Sequence, residues 1–105
     1  MSHAFTVALV VICRDAEESL ARLLNTVNGL VDKTAVMDTG SLDRSVEVAS
    51  QSGALVGQMN WPDDFSEARN AALDLASADW HLVLDADEWL IDGGEFLEQL
   101  RHTPP

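Results

Sequence analysis

Apolar residues along this chain come in short blocks separated by polar turns, and the blocks alternate between two periods. Val7–Cys13 is unbroken and rich in β-branched residues, which predicts a strand buried on both faces, as in a parallel sheet. Asp15 and Glu18 have the spacing of a helix start with Asp15 as N-cap. Leu20, Leu23, Leu24 and Val27 then recur at helical spacing, and Gly29 is a natural stop. The unit repeats. Residues 34–37 read as a strand, Asp38-Thr39-Gly40-Ser41 as a turn, and Ser41 as the cap of a helix that carries Val46 and Ala49 and closes at Gly53. Residues 54–59 form a weaker third strand, interrupted by Gly57 and Gln58. Past a loop over 60–63, Asp64 and Glu67 repeat the cap spacing, and Phe65, Ala68, Ala72, Leu75 and Ala76 give a third helix its apolar side. Residues 80–84 are a fourth strand running into Asp85-Ala86-Asp87-Glu88, and after a break at Gly93-Gly94 residues 95–101 read as a last short helix.

Strand and helix alternating in this way predict an α/β fold: a mainly parallel sheet with helices on both faces, joined by right-handed crossovers. No linker divides the chain, so residues 1–105 are expected to form one domain. Ligands in such sheets bind beyond the carboxyl ends of the strands. Cys13, Asp38 and Asp85 all fall at predicted carboxyl ends and aim polar groups at one rim.

Charge narrows the partners. Eighteen acids face six bases, a formal net charge of −12. Such a chain repels nucleic acid and anionic membrane surfaces, so neither is expected as a partner. A phosphate ligand remains admissible where a divalent cation supplies local positive charge. No apolar run reaches the length of a membrane span, and Met1-Ser2-His3 lacks the basic start of a secretory signal. The single cysteine, Cys13, cannot form an internal disulfide and fits a reducing, cytoplasmic location.

Asp85-x-Asp87 is the sharpest chemical feature. Residues two apart on an extended segment point to one side, and two close carboxylates repel each other unless a cation sits beside them. Hard oxygen donors suit Mg2+ or Mn2+ shared with substrate phosphates. The same letters also describe a solvated acidic turn. Asp38 either reaches a ligand at the rim or anchors the Asp-Thr-Gly-Ser turn. Arg69 either binds a phosphate or base carbonyl or pairs with a carboxylate. Val36-Met37-Asp38-Thr39-Gly40 also fits the Asp-Thr-Gly signature of dimeric aspartic proteases, but that fold is almost all β and the helical segments here oppose it. His3, His81 and His102 have no metal-ligand partner at useful spacing, Cys13 reads as a buried thiol, and Trp61, Trp80 and Trp89 either pack in the core or loops or stack on sugars or bases.

Four stretches in order resemble the N-terminal half of a family 2 glycosyltransferase of the GT-A fold. They are Val11-Ile12-Cys13-Arg14-Asp15-Ala16-Glu17-Glu18-Ser19-Leu20, Val36-Met37-Asp38-Thr39-Gly40-Ser41-Leu42-Asp43-Arg44-Ser45, Trp61-Pro62-Asp63-Asp64-Phe65-Ser66-Glu67-Ala68-Arg69-Asn70 and Trp80-His81-Leu82-Val83-Leu84-Asp85-Ala86-Asp87-Glu88. The resemblance implies a Rossmann-like half domain that binds a nucleotide-diphosphate sugar, usually a UDP-sugar. It implies that Ile12 and Cys13 line the base and ribose site, that Asp38 bonds the base and that Arg69 lies beside base or phosphates. Asp85 would contact ribose or a metal-bound water, and Asp87 would ligate Mn2+ or Mg2+ on the diphosphate, where the ion stabilises the leaving group. Asp43 would serve the turn and helix start. Arg14 and Asp15 stand where the closest subgroup carries lysine and asparagine. A full domain of this kind needs roughly twice this length, so the chain is expected to be the donor half without an acceptor site or catalytic base. An uncovered strand edge then predicts self-association as a dimer. A noncatalytic nucleotide-binding or interaction module of the same fold is the alternative reading.

Overall fold

Four parallel strands and three helices alternate along the chain in a computed structural model that describes residues 5–61, 63–85, 99, 102 and 104. The strands are β1 (Val7–Cys13), β2 (Lys33–Asp38), β3 (Leu55–Gln58) and β4 (Trp80–Asp85), and the helices are α1 (Glu17–Val27), α2 (Ser45–Gln51) and α3 (Phe65–Ala76). The sheet order is β3-β2-β1-β4, so the chain steps outward from β1 to β3 and then crosses back to β1's other side. That reversal creates a switch point between β1 and β4, the place where sheets of this kind bind ligands at their carboxyl ends.

Every residue of β1 is buried, as its unbroken apolar run requires of a central strand. Its alternating side chains serve two layers. Leu9, Val11 and Cys13 pack with Leu20, Leu23, Leu24, Val27, Val36 and Ala49, which places α1 and α2 on one face. Ala8, Val10 and Ile12 pack with Ala35, Met37 and the alanines 68, 72 and 76 of α3 on the other. Small residues on both sides of that second interface let α3 lie close to the sheet. Truncating Leu20 or Leu23, both fully buried, would cost about 2–5 kcal/mol. The all-β protease architecture is excluded by this three-layer arrangement.

The glycines and caps resolve individually. Gly29 and Gly53 follow α1 and α2 with φ of 83° and 89°, as the sequence pattern predicts for helix stops. Asp64 caps α3, its side chain accepting from the Ser66 N–H at 2.9 Å. Two predicted caps are not caps. Ala16 occupies the N-cap position of α1 and Arg44 that of α2, neither with a side-chain cap bond. Asp15 instead takes φ of 48° and turns its carboxylate to the N–H groups of Leu42 and Asp43, at 2.6 and 3.3 Å. Ser41 is drawn to Asp38. The predicted helix over 95–101 lies outside the described residues apart from Gln99.

Candidate functional site

Strand register gathers the rim. Cys13 lies opposite Asp38 on β2, and Ile12 lies opposite Asp85 on β4. The three predicted carboxyl-end groups therefore share one edge of the sheet, beside the switch point. The Asp85 backbone is described; Asp87 lies outside the described residues.

Asp38 is buried and held in its own turn. One carboxylate oxygen accepts the N–H groups of Gly40 and Ser41 at 3.2 and 2.9 Å. The other accepts the Ser41 hydroxyl and, at 3.6 Å, the Cys13 thiol. Gly40 makes this turn possible with φ of 110°, a conformation that a side chain would strain. Burial pushes the Asp38 carboxyl upward, but the bonds from Ser41, Gly40 and Cys13 outweigh it and hold the group below the usual aspartate value. Burial, then the Asp38 charge and the bond to it, push the Cys13 thiol up to about 12. Cys13 is thus a neutral donor, as its reading as a buried thiol predicts.

The two loops that follow β1 and β2 are tied together. The Asp15 N–H donates to the Ser41 hydroxyl, the Ala16 N–H to the Ser45 hydroxyl and the Glu17 N–H to the Asp43 carboxylate. Asp43 also accepts the Ser45 N–H at 2.9 Å, which places it at the turn and helix start. Thr39 donates both its N–H and its hydroxyl to the Cys13 carbonyl. The free N–H groups of α1 are satisfied by the neighbouring loop rather than by a local cap. These bonds tie the two loops of the rim to each other.

Two recesses open on either side of the Asp38 turn. One, of about 290 Å3, is lined by Ile12, Cys13, Arg14, Thr39 and Trp61. The other, of about 350 Å3, is lined by Asp38, Gly40 and Ser41 with Gln58, Met59 and Asn60 across from them. Two further hollows lie near the opposite ends of α1 and α2 and touch none of the rim groups. Arg69 is exposed on α3 with its guanidinium 5.7 Å from the centre of the Phe65 ring, and among the described residues it pairs with no carboxylate. Phe65, expected on the buried side of α3, is 43% exposed and faces Trp61, with ring centres 6.3 Å apart. His81 accepts the Ala78 N–H, a structural role.

The sequence reading missed Gln58 and Asn60 as rim residues and left Trp61 between packing and stacking. The signal for Trp61 was its place in the loop between β3 and α3, which must open at the carboxyl rim. Among the described residues no three His, Cys, Asp or Glu side chains are grouped to hold a metal ion. The carboxylates of Asp85 and Asp87 are hard oxygen donors, the type a divalent cation such as Mn2+ or Mg2+ takes.

Comparison with known proteins is consistent with this layout. The sequence model of "Glycosyl transferase family 2" matches residues 8–102. A TPR repeat-containing protein of Synechococcus elongatus is 51% identical over 85 residues, covering 81% of this chain and 21% of its own length. An uncharacterized glycosyltransferase of Rickettsia felis is 33% identical over 84 residues, covering 80% of this chain and 29% of its own. The chain therefore spans less than a third of either relative. Among solved structures, glucosyl-3-phosphoglycerate synthase from Mycobacterium tuberculosis, in complex with Mn2+, UDP and glucosyl-3-phosphoglycerate, superposes with a TM-score of 0.66 at 25% identity. That match covers 78% of this chain and 33% of the synthase. TarS of S. aureus matches with a TM-score of 0.75 at 22% identity, over 90% of this chain and 30% of that one, a likeness of fold.

Proposed function

This chain belongs to glycosyl transferase family 2, and from that premise we propose that its rim binds the nucleoside diphosphate of a sugar donor, most simply a UDP-sugar, together with Mn2+ or Mg2+. The observation that carries the proposal is the register that brings Cys13, Asp38 and Asp85 to one edge beside the switch point. The synthase that superposes on this chain was crystallised with Mn2+ and UDP in one complex and with Mg2+ and UDP in another, which supports the same ligand class here.

In this reading residues 1–105 form the nucleotide-binding part of a GT-A domain. Ile12 and Cys13 line the base and ribose. Asp38 accepts the imide N–H of the base, which takes the place of the Cys13 thiol, the longest of the four contacts on that carboxylate. Arg69 lies beside base or phosphates and adds positive charge to an acidic molecule. Asp85 holds ribose or a metal-bound water, and Asp87 ligates the cation. A divalent cation held there offsets charge on the departing nucleoside diphosphate.

Competition between nucleotides tests this. Uracil carries the imide N–H and cytosine does not, so with Mn2+ present UDP should bind more tightly than CDP. A hydrogen bond to a charged group is worth about 1.5–3 kcal/mol, and displacing the thiol lowers the net gain toward the bottom of that range. Asp38→Ala should erase the preference. A chain that binds no nucleoside diphosphate, with or without metal, would overturn the proposal.

A further inference from the structure

The recess beside β1 has one wall that is aromatic and exposed. Trp61 is 40% exposed and faces Ile12, Cys13, Arg14 and Thr39 across about 290 Å3. It is also held from behind. Phe65 lies four residues onward with its ring tilted 53° to the indole, and the Arg69 guanidinium sits 5.7 Å from the centre of the Phe65 ring. Asp64 fixes the first turn of α3 through the Ser66 N–H, which sets where Phe65 and Arg69 project. A lone exposed tryptophan is ordinary surface. This one lies at the carboxyl rim, has the tilted Phe65 ring beside it, and borders the backbone end of β1.

We propose that Trp61 is the stacking wall for the flat ring of the nucleobase, and so a binding residue of the nucleotide site. This rests on the reading of the rim as a nucleoside diphosphate site and adds the residue that grips the base face. An indole face attracts any planar base with little regard to its edge groups. Trp61 therefore supplies affinity and the Asp38 turn supplies discrimination. The chain keeps a mostly acidic surface, and a neutral contact of this kind binds a nucleotide without adding to the charge problem.

The test is calorimetry on the 105-residue chain with Mn2+, using UDP and inorganic pyrophosphate as probes, with Trp61→Ala and Trp61→Phe. Stacking on one aromatic ring accounts for about tenfold or more in affinity. Trp61→Ala should weaken UDP by that factor and leave pyrophosphate unchanged. Trp61→Phe should keep most of the UDP affinity while losing the quenching of indole fluorescence that UDP causes in the parent chain. Equal UDP binding by Trp61→Ala and parent would overturn the stacking role while leaving the nucleotide site standing. An equal loss for pyrophosphate would overturn it too, since that ligand has no base. Absence of UDP binding by the parent chain would remove the site itself and this inference with it.

Discussion

Asp38 and Cys13 form a coupled pair whose behaviour with pH follows from their surroundings. The thiol is held neutral up to about 12, against an ordinary value of 9.0. A group whose folded value is raised lends stability that is complete below the unfolded value and is lost as pH rises toward the folded one. The Cys13 contribution is therefore present below pH 9 and falls away between 9 and 12. Asp38 works in the opposite sense. Its carboxyl is lowered in the fold, as are those of Asp43, through Ser45, and Asp79, through Thr6. Their contribution is present above the ordinary aspartate value near 4 and is lost as pH falls through the folded values. Melting temperature measured against pH should fall at both ends, and Cys13→Ala should flatten the alkaline fall most, with a smaller change on the acid side because Asp38 loses one of its donors. An unchanged alkaline limb would show that the thiol is not coupled to folding. The buried, neutral thiol should also react slowly with a disulfide reagent at pH 8 and quickly once urea unfolds the chain.

At the scale of the element, β3 shows why an irregular strand survives. Gly57 weakens the strand pattern in sequence, yet a Cβ there would meet Met37 Cε at 2.7 Å and Leu75 Cδ2 at 3.2 Å. The glycine lets β3 and α3 close on Met37. Gly57→Ala should destabilise the fold by about 1 kcal/mol, near the low end for overpacking because the Met37 tip can move. Adding Met37→Ala should make the alanine at 57 harmless, and thermal or urea unfolding of the double-mutant cycle reads that coupling. Purely additive losses would contradict the contact. The helices were legible because Leu20, Leu23, Leu24 and Val27, or Ala68, Ala72 and Ala76, repeat at one face. The caps of α1 and α2 were not. Asp15 and Glu18 have the letters of a local cap, but Asp15 is spent on N–H groups 27 and 28 residues away in the next loop. Tertiary partners of that kind leave no local spacing to read.

Across the whole molecule, the parallel sheet and the rim were visible in sequence because strand ends in such folds converge regardless of detail. Cys13, Asp38 and Asp85 needed only to end neighbouring strands. The recess at Trp61 was not visible, since it depends on where Trp61 lies relative to the end of β1. Nor was the saturation of Asp38, which depends on the turn geometry of Gly40 and Ser41. Among the described residues no helix is long and apolar enough to cross a membrane. The net charge of −12 sets the terms for any phosphate ligand. A nucleoside diphosphate approaching this surface is repelled unless a cation offsets the charge, so metal and nucleotide should help each other bind, each by the same factor. In the proposed site Asp85 and Asp87 alone would offer a hard cation too few oxygens, and the diphosphate would complete the set. The most direct measurement is Mn2+ titration by calorimetry with and without UDP, on the parent chain and on Asp87→Ala. The parent should bind Mn2+ weakly alone and at least about tenfold more tightly with UDP, a coupling within the usual range for linked sites, and Asp87→Ala should lose that enhancement. Unchanged UDP-dependent Mn2+ binding in Asp87→Ala would contradict the assignment of this rim as a metal-assisted nucleotide site.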